Sequence, residues 1–188
     1  MVIRIMLLLA LLLPTSAARS DEAAWALLDQ PGSIVLFRHA NAPGVGDPAG
    51  FKLGDCSTQR NLDTRGQQEA AAIGGEFARR GITVGRVLSS QWCRARDTAE
   101  LAFPGRVVDE PAFNSFFGNR QDEAAATIAA LDVLGQWAGP GTMVVVSHQV
   151  NISALTGEVP SPGEGIIIRM DGGKAIVLGR LPPPKLPK

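Results

Sequence analysis

The sequence is sparing with the residues that usually announce a metal or redox protein: its 188 residues include two cysteines and two histidines. Cys56 and Cys93 stand alone, 37 positions apart, and neither His39 nor His148 lies at ligand spacing from another donor. That pattern argues against a zinc site, and no metal or organic cofactor is expected. Long basic runs are also missing, and 18 basic residues balance 18 acidic ones to a formal net charge of zero. Nucleic-acid binding through bulk electrostatics is therefore not expected, and any anion must be recognised locally. The longest apolar run, the nine residues Ile5 to Leu13, falls well short of the ~20 needed to cross a bilayer. Neither an internal repeat nor a linker divides the chain, which points to one domain with a real core.

What is present at the N-terminus reads as an export leader. Arg4 precedes the apolar run, Pro14 ends it, and Ser16-Ala17-Ala18 supplies small residues at a cleavage site. Residues 1–18 are expected to be removed, leaving Arg19 as the first mature residue, no stable membrane anchor, and a periplasmic or secreted location. At the other end, Leu181-Pro-Pro-Pro-Lys-Leu-Pro-Lys188 cannot continue a helix or central strand. It is expected to be a disordered tail, which assigns residues 19–180 to the domain.

Between these ends, apolar runs of β character alternate with helical patterns. Ser33–Phe37, Arg86–Ser89 and Thr142–Val146 read as strands; Asp63–Arg80, Trp92–Ala102 and Gln121–Trp137 read as helices. Asp63 or Thr64 can cap the first of these helices, and Gly81 can end it. Gly165–Met170 and Lys174–Leu178 form a closing hairpin turned by Asp171-Gly172-Gly173. Such alternation predicts an α/β three-layer sandwich with a mostly parallel central sheet, and continuously apolar strands suit a sheet covered on both faces.

Both histidines follow strands: His39 comes after the first, His148 after Thr142–Val146. In a parallel sheet the carboxyl ends of the strands share one edge, where ligands bind. Arg38 stands beside His39, and Arg94 falls in the first turn of the helix after Arg86–Ser89. Guanidinium forks match phosphate oxygens and stay charged at any working pH. Two arginines and two imidazoles describe a pocket for a tetrahedral dianion. Arg96 reads as an ordinary surface charge. Gly44, Gly46 and Gly50 lack the spacing of a nucleotide-binding loop and read as a flexible loop over the site.

Taken in order, Leu36-Phe-Arg-His39, Asn61-Leu-Asp-Thr-Arg-Gly-Gln-Gln-Glu-Ala70, Ser89-Ser90 through Arg94 to Thr98-Ala99, and Val146-Ser-His148 resemble the signature segments of the histidine phosphatase (phosphoglycerate mutase-like) superfamily. Ala40 stands where that family usually has glycine, and Asp63 where it commonly has threonine or serine. The resemblance spans residues 33 to 150. It implies that His39 accepts a phosphoryl group from a small phosphorylated substrate, with Arg38, Arg94 and His148 holding the phosphoryl oxygens. Arg60 matches a position that reaches the phosphate pocket in small family members; Gln149 and Asn41 complete the expected substrate-binding set.

The family's general acids have no counterpart. One branch carries a glutamate in the segment that here is Ala112–Gly118, and another an aspartate where Gln149 stands. Asp122, Glu123, Asp55 and Glu164 are the remaining candidates. The expected function is hydrolysis of a small phosphate ester, phosphoramidate or acyl phosphate through phosphohistidine; the alternative is a weak or inactive anion-binding member of the same fold. Finally, Cys93 immediately precedes Arg94, and Cys56 lies in the long loop after His39. Export would permit a Cys56–Cys93 disulfide tying that loop to the Arg94 helix.

Overall fold

The computed structural model describes residues 22–186; the expected leader at 1–18 lies outside the described residues. Six strands, β1 (Ile34–Arg38), β2 (Val84–Ser89), β3 (Val107–Asp109), β4 (Thr142–Ser147), β5 (Gly165–Asp171) and β6 (Lys174–Leu181), form one sheet in the order β3-β2-β4-β1-β5-β6. The first four are mutually parallel, whereas β5 runs antiparallel to β1 and β6 antiparallel to β5. Helices are α1 (residues 22–26), α2 (Thr64–Arg80), α3 (Cys93–Ala102), α4 (Glu123–Gly135) and α5 (Gln149–Thr156).

Alternate side chains of one strand point to opposite faces, and each face has its own core. Val35 and Phe37 of β1, with Val144 and Val146 of β4, pack beneath Ile73 and Phe77 of α2 and Ala95 and Ala99 of α3. Ile34 and Leu36, with Met143 and Val145, face Ala130 and Leu134 of α4 and Ile152 of α5. Every residue of β4 is buried, which is why that run carries no polar alternation. The result is the three-layer sandwich expected from the sequence.

Helix α2 starts where Asp63 accepts a hydrogen bond from the Gly66 N–H (2.7 Å) and ends at left-handed Gly81. Gly66 is required by approach rather than by backbone angle, because a Cβ there would stand 2.0 Å from the carbonyl oxygen of Asn41. The chain leaving β1 is thus pressed directly onto α2.

Several expectations need adjusting. The expected helix 121–137 is shorter: a 3-10 turn, Arg120–Asp122, precedes α4. Strand β3 escapes the sequence pattern because it is three residues long, on the sheet edge and largely exposed. Helix α5 escapes it because the segment is short and weakly amphipathic. Leu181 does not open the tail. It pairs with Gly165, is fully buried and closes β6. Proline lacks a donor N–H, but past the end of a strand none is needed, and Pro183 and Pro184 lie against Gly163.

Candidate active site

Pairing sets the geometry of the site. Arg38 is opposite Ser147 in the β1–β4 ladder, and Ser89 of β2 is opposite Val146 of β4. The chains leaving β1, β4 and β2 therefore depart side by side at one carboxyl edge. The His39 and His148 rings, one residue past β1 and β4, sit with centroids 5.5 Å apart at 65°. Arg94 reaches the same place from the first turn of α3, and both imidazoles and its guanidinium are buried.

One cavity of about 150 Å³ collects Arg38, His39, Arg60, Arg94, His148 and Gln149, with the Gly44–Gly46 backbone, Ser115, Phe117 and Val150 completing its wall. Of the expected set, Asn41 is placed outside this cavity. Its side-chain amide donates to Asp63 (2.8 Å) and its backbone N–H to Glu69 (3.0 Å), so Asn41 clamps the loop to α2 instead of meeting a substrate. Gln149 lines the cavity, where its amide oxygen lies 3.4 Å from Arg38 Nη1, which also donates to the Pro160 carbonyl at 3.0 Å.

The histidine tautomer follows from a hydrogen bond. His39 Nδ1 lies 2.8 Å from the Ala40 carbonyl oxygen, which can only accept. The proton belongs on Nδ1, and Nε2 keeps a free lone pair. Burial pushes the His39 pKa down to about 3, against the opposing pull of the Ala40 bond and with help from Arg94, Arg38 and Arg60. His148 is also driven well below its ordinary value, first by burial and then by His39 and the same arginines. Both rings are neutral near pH 7, as nucleophilic attack by imidazole requires. His148 Nε2 is steadied by Ser90 Oγ at 2.9 Å, a hydroxyl itself 3.3 Å from Asn114 Oδ1.

The arginines keep their charge beside the two rings. Burial, and the charge of Arg94, lower the pKa of both Arg38 and Arg60, yet guanidinium remains charged at working pH. Arg60 Nε donates to the Gly46 carbonyl at 2.7 Å, and its Nη1 to that of Ala42. The Nε atoms of Arg38 and Arg94 are buried without a hydrogen-bond partner among the described residues. Three cations around a small void, two of them with an orphaned donor, match a compact oxyanion.

Sequence reasoning missed Asp47. It grips Arg94 through two bonds (Nη1–Oδ1 2.6 Å, Nη2–Oδ2 3.2 Å) and also accepts from Trp92 Nε1 (3.0 Å) and the Arg60 N–H (3.3 Å). Partial burial pushes its pKa up, but Arg94, Trp92 and the Arg60 N–H outweigh this and hold it low. A usable signal existed: Asp47 is the first acid after His39, within the glycine-rich loop. That loop is fastened by a Cys56–Cys93 disulfide with Cα atoms 5.7 Å apart, one residue before Arg94.

The four carboxylates singled out in the sequence lie elsewhere. Asp55 caps the 3-10 turn Cys56–Thr58, Glu164 binds Arg180 at 2.7 Å and the Ser161 N–H at 2.8 Å, and Glu123 pairs with Arg120 at 2.8 Å. Asp122 accepts from the Asn119 side-chain amide at 3.0 Å. None lines the cavity. Among the described residues, no group of three or more His, Cys, Asp or Glu is arranged to hold a metal ion.

No family model and no curated relative matches the sequence; solved structures do. The histidine phosphatase SixA in complex with tungstate is 19% identical, with a TM-score of 0.56, covering 80% of this chain and 97% of that one. The product of open reading frame Rv3214 of Mycobacterium tuberculosis is 13% identical, TM-score 0.58, covering 82% and 99%. A mutant phosphoserine phosphatase from Entamoeba histolytica, in complex with phosphoserine, is 15% identical, TM-score 0.53, covering 79% and 95%. The chain shares the fold of these solved structures, a phosphoglycerate mutase-like arrangement of a mostly parallel sheet between helical layers.

Proposed function

We propose that the protein is a metal-independent phosphatase that passes a phosphoryl group from a small phosphate ester to His39 and then to water. One observation carries this reading: the Ala40 carbonyl fixes the proton on His39 Nδ1, leaving Nε2 as the free nitrogen of a neutral ring that lines a cavity with three arginines. In the first step the Nε2 lone pair forms a bond to phosphorus, and the bond from phosphorus to the leaving oxygen breaks. In the second, a water oxygen attacks phosphorus, the P–N bond breaks, and phosphate departs as His39 regains its lone pair. Arg38, Arg60, Arg94 and His148 offset charge on the three equatorial oxygens throughout. The solved SixA complex contains tungstate, itself a tetrahedral oxyanion, which supports assigning such an occupant to the cavity here.

Among the described residues no carboxylate lines the cavity, so the chemistry suits substrates whose leaving group departs without a positioned acid: phosphoramidates, acyl phosphates and activated esters. The same observation favours the second reading, an anion-binding protein without turnover. Brief incubation with a ³²P-labelled substrate separates them. An acid-labile, base-stable adduct that is lost in His39→Ala, with turnover insensitive to chelators, supports the phosphatase. A protein that binds phosphate but never acquires label is the anion binder.

A further inference from the structure

At about 150 Å³ the phosphate cavity is smaller than the roughly 300–1,000 Å³ of a typical small-molecule pocket. It takes the phosphoryl group and little else. A second cavity of about 410 Å³ adjoins it, and Ser115 and Phe117 line both. Its walls are aromatic: Phe51 and Trp92 are stacked with centroids 5.0 Å apart at 18°. Phe117, which also lines it, is half exposed, and its ring edge lies 3.7 Å from where a Cβ on Gly46 would stand. Among the described residues no lysine or arginine lines this space, whereas Asp47 and Asp122 do. Asp47 is neutralised by Arg94; Asp122 has only the Asn119 amide. The neighbouring Arg120 is not part of the lining; it pairs with Glu123 and lies over the Phe116 ring.

We infer that this second cavity holds the leaving group and selects aryl phosphates whose ring carries no negative charge. The inference rests on the phosphatase reading and deepens it. Flat aromatic walls favour a planar ring through offset or edge contacts. A carboxylate or second phosphate on that ring would meet the Asp122 charge with no cation to offset it, because every arginine nearby serves the phosphoryl site or another partner. Aryl oxygen also resolves the missing acid. A phenol has a pKa of about 10, so its oxygen takes the electron pair of the breaking P–O bond and leaves as phenolate, picking up its proton from solvent.

The test compares kcat/KM for phenyl phosphate and 4-carboxyphenyl phosphate, with acetyl phosphate as the check on the underlying chemistry. The carboxyl-bearing ring is at least as good a leaving group, so a preference for phenyl phosphate must come from the protein. The expected ratio is about threefold in favour of phenyl phosphate, the scale of one like-charge contact at the exposed Asp122 carboxylate. In Asp122→Lys the preference inverts, and in Asp122→Asn it shrinks; taking the ratio within each variant cancels any general loss of activity. Acetyl phosphate turnover with a wild-type ratio near one, or with a ratio that Asp122→Lys leaves unchanged, overturns the leaving-group assignment alone. If no substrate, acetyl phosphate included, labels His39, the phosphatase reading itself fails.

Discussion

Two buried neutral histidines make a quantitative demand on stability. In the unfolded chain each imidazole has a pKa near 6.5; in the fold His39 is held at about 3 and His148 is also driven far down. Below pH 6.5 the unfolded state takes up a proton at each histidine while the folded state does not, so acidification draws the equilibrium toward unfolding. The stability is fully present above the unfolded value and is lost as pH falls toward the folded one. From pH 6.5 to 5 the loss is about 1.6 kcal/mol for His39, and His148, shifted in the same direction, adds to it. In this window most carboxylates are ionised in both states and contribute little. Urea unfolding at several pH values between 5 and 7 measures the slope, and His39→Asn, with one titrating group removed, should show a shallower one. Equal slopes in the wild type and His39→Asn would show that His39 is not held neutral by the fold. Saturating tungstate should flatten the dependence by favouring protonation of imidazole beside a bound dianion.

Other consequences follow from the loop over the site. Reducing the Cys56–Cys93 bond, or replacing both with serine, should cost ~2–4 kcal/mol in chemical denaturation; unchanged stability would mean the loop is held without it. Asp47→Ala should lower kcat/KM by roughly 10–100-fold, as loss of an orienting partner does, with Asp47→Asn intermediate because its amide oxygen still accepts from Arg94. Wild-type kinetics in Asp47→Ala would remove Asp47 from the scheme. Rates should also rise steeply as leaving-group pKa falls across a series of uncharged aryl phosphates; a flat profile would reveal a proton donor that the cavity does not show.

Local patterns carry the parts of this protein that depend on strands. His39 and His148 can be placed on one edge because each follows an apolar run, and parallel pairing of β1 with β4 then sets the rings 5.5 Å apart. Arg94 is legible for the same reason, from the end of β2 and the helix start that follows. Residues delivered by loops are not. Asp47 meets Arg94 across 47 positions, a closure fixed by the disulfide, by Trp92 and by a run of turns whose shape no periodicity records. The nearness of Asn41 to His39 in sequence points it at the substrate, yet the close packing permitted by Gly66 draws it onto α2. The prolines after Leu181 suggest a tail, whereas its own apolar side chain decides its place in β6.

The carboxylate that does reach this site is of the wrong kind to be a general acid. Asp47 accepts on both oxygens, from Arg94, Trp92 and the Arg60 backbone, and these contacts hold its pKa low. A proton donor needs the reverse environment: burial without cations, so that the protonated form persists at neutral pH. Asp47 instead uses its charge for orientation, fixing the guanidinium fork while cancelling one of three positive charges. That cancellation matters to the proposed turnover. A third uncompensated arginine would tighten the binding of substrate and transition state alike, and binding both equally well does not speed the chemical step. With Asp47 in place the cavity keeps an excess of two cations against an incoming dianion, and Arg94 is already aligned when it arrives. In the proposed reaction the loop thus supplies geometry and charge balance, and protonation of the departing oxygen is left to the solvent.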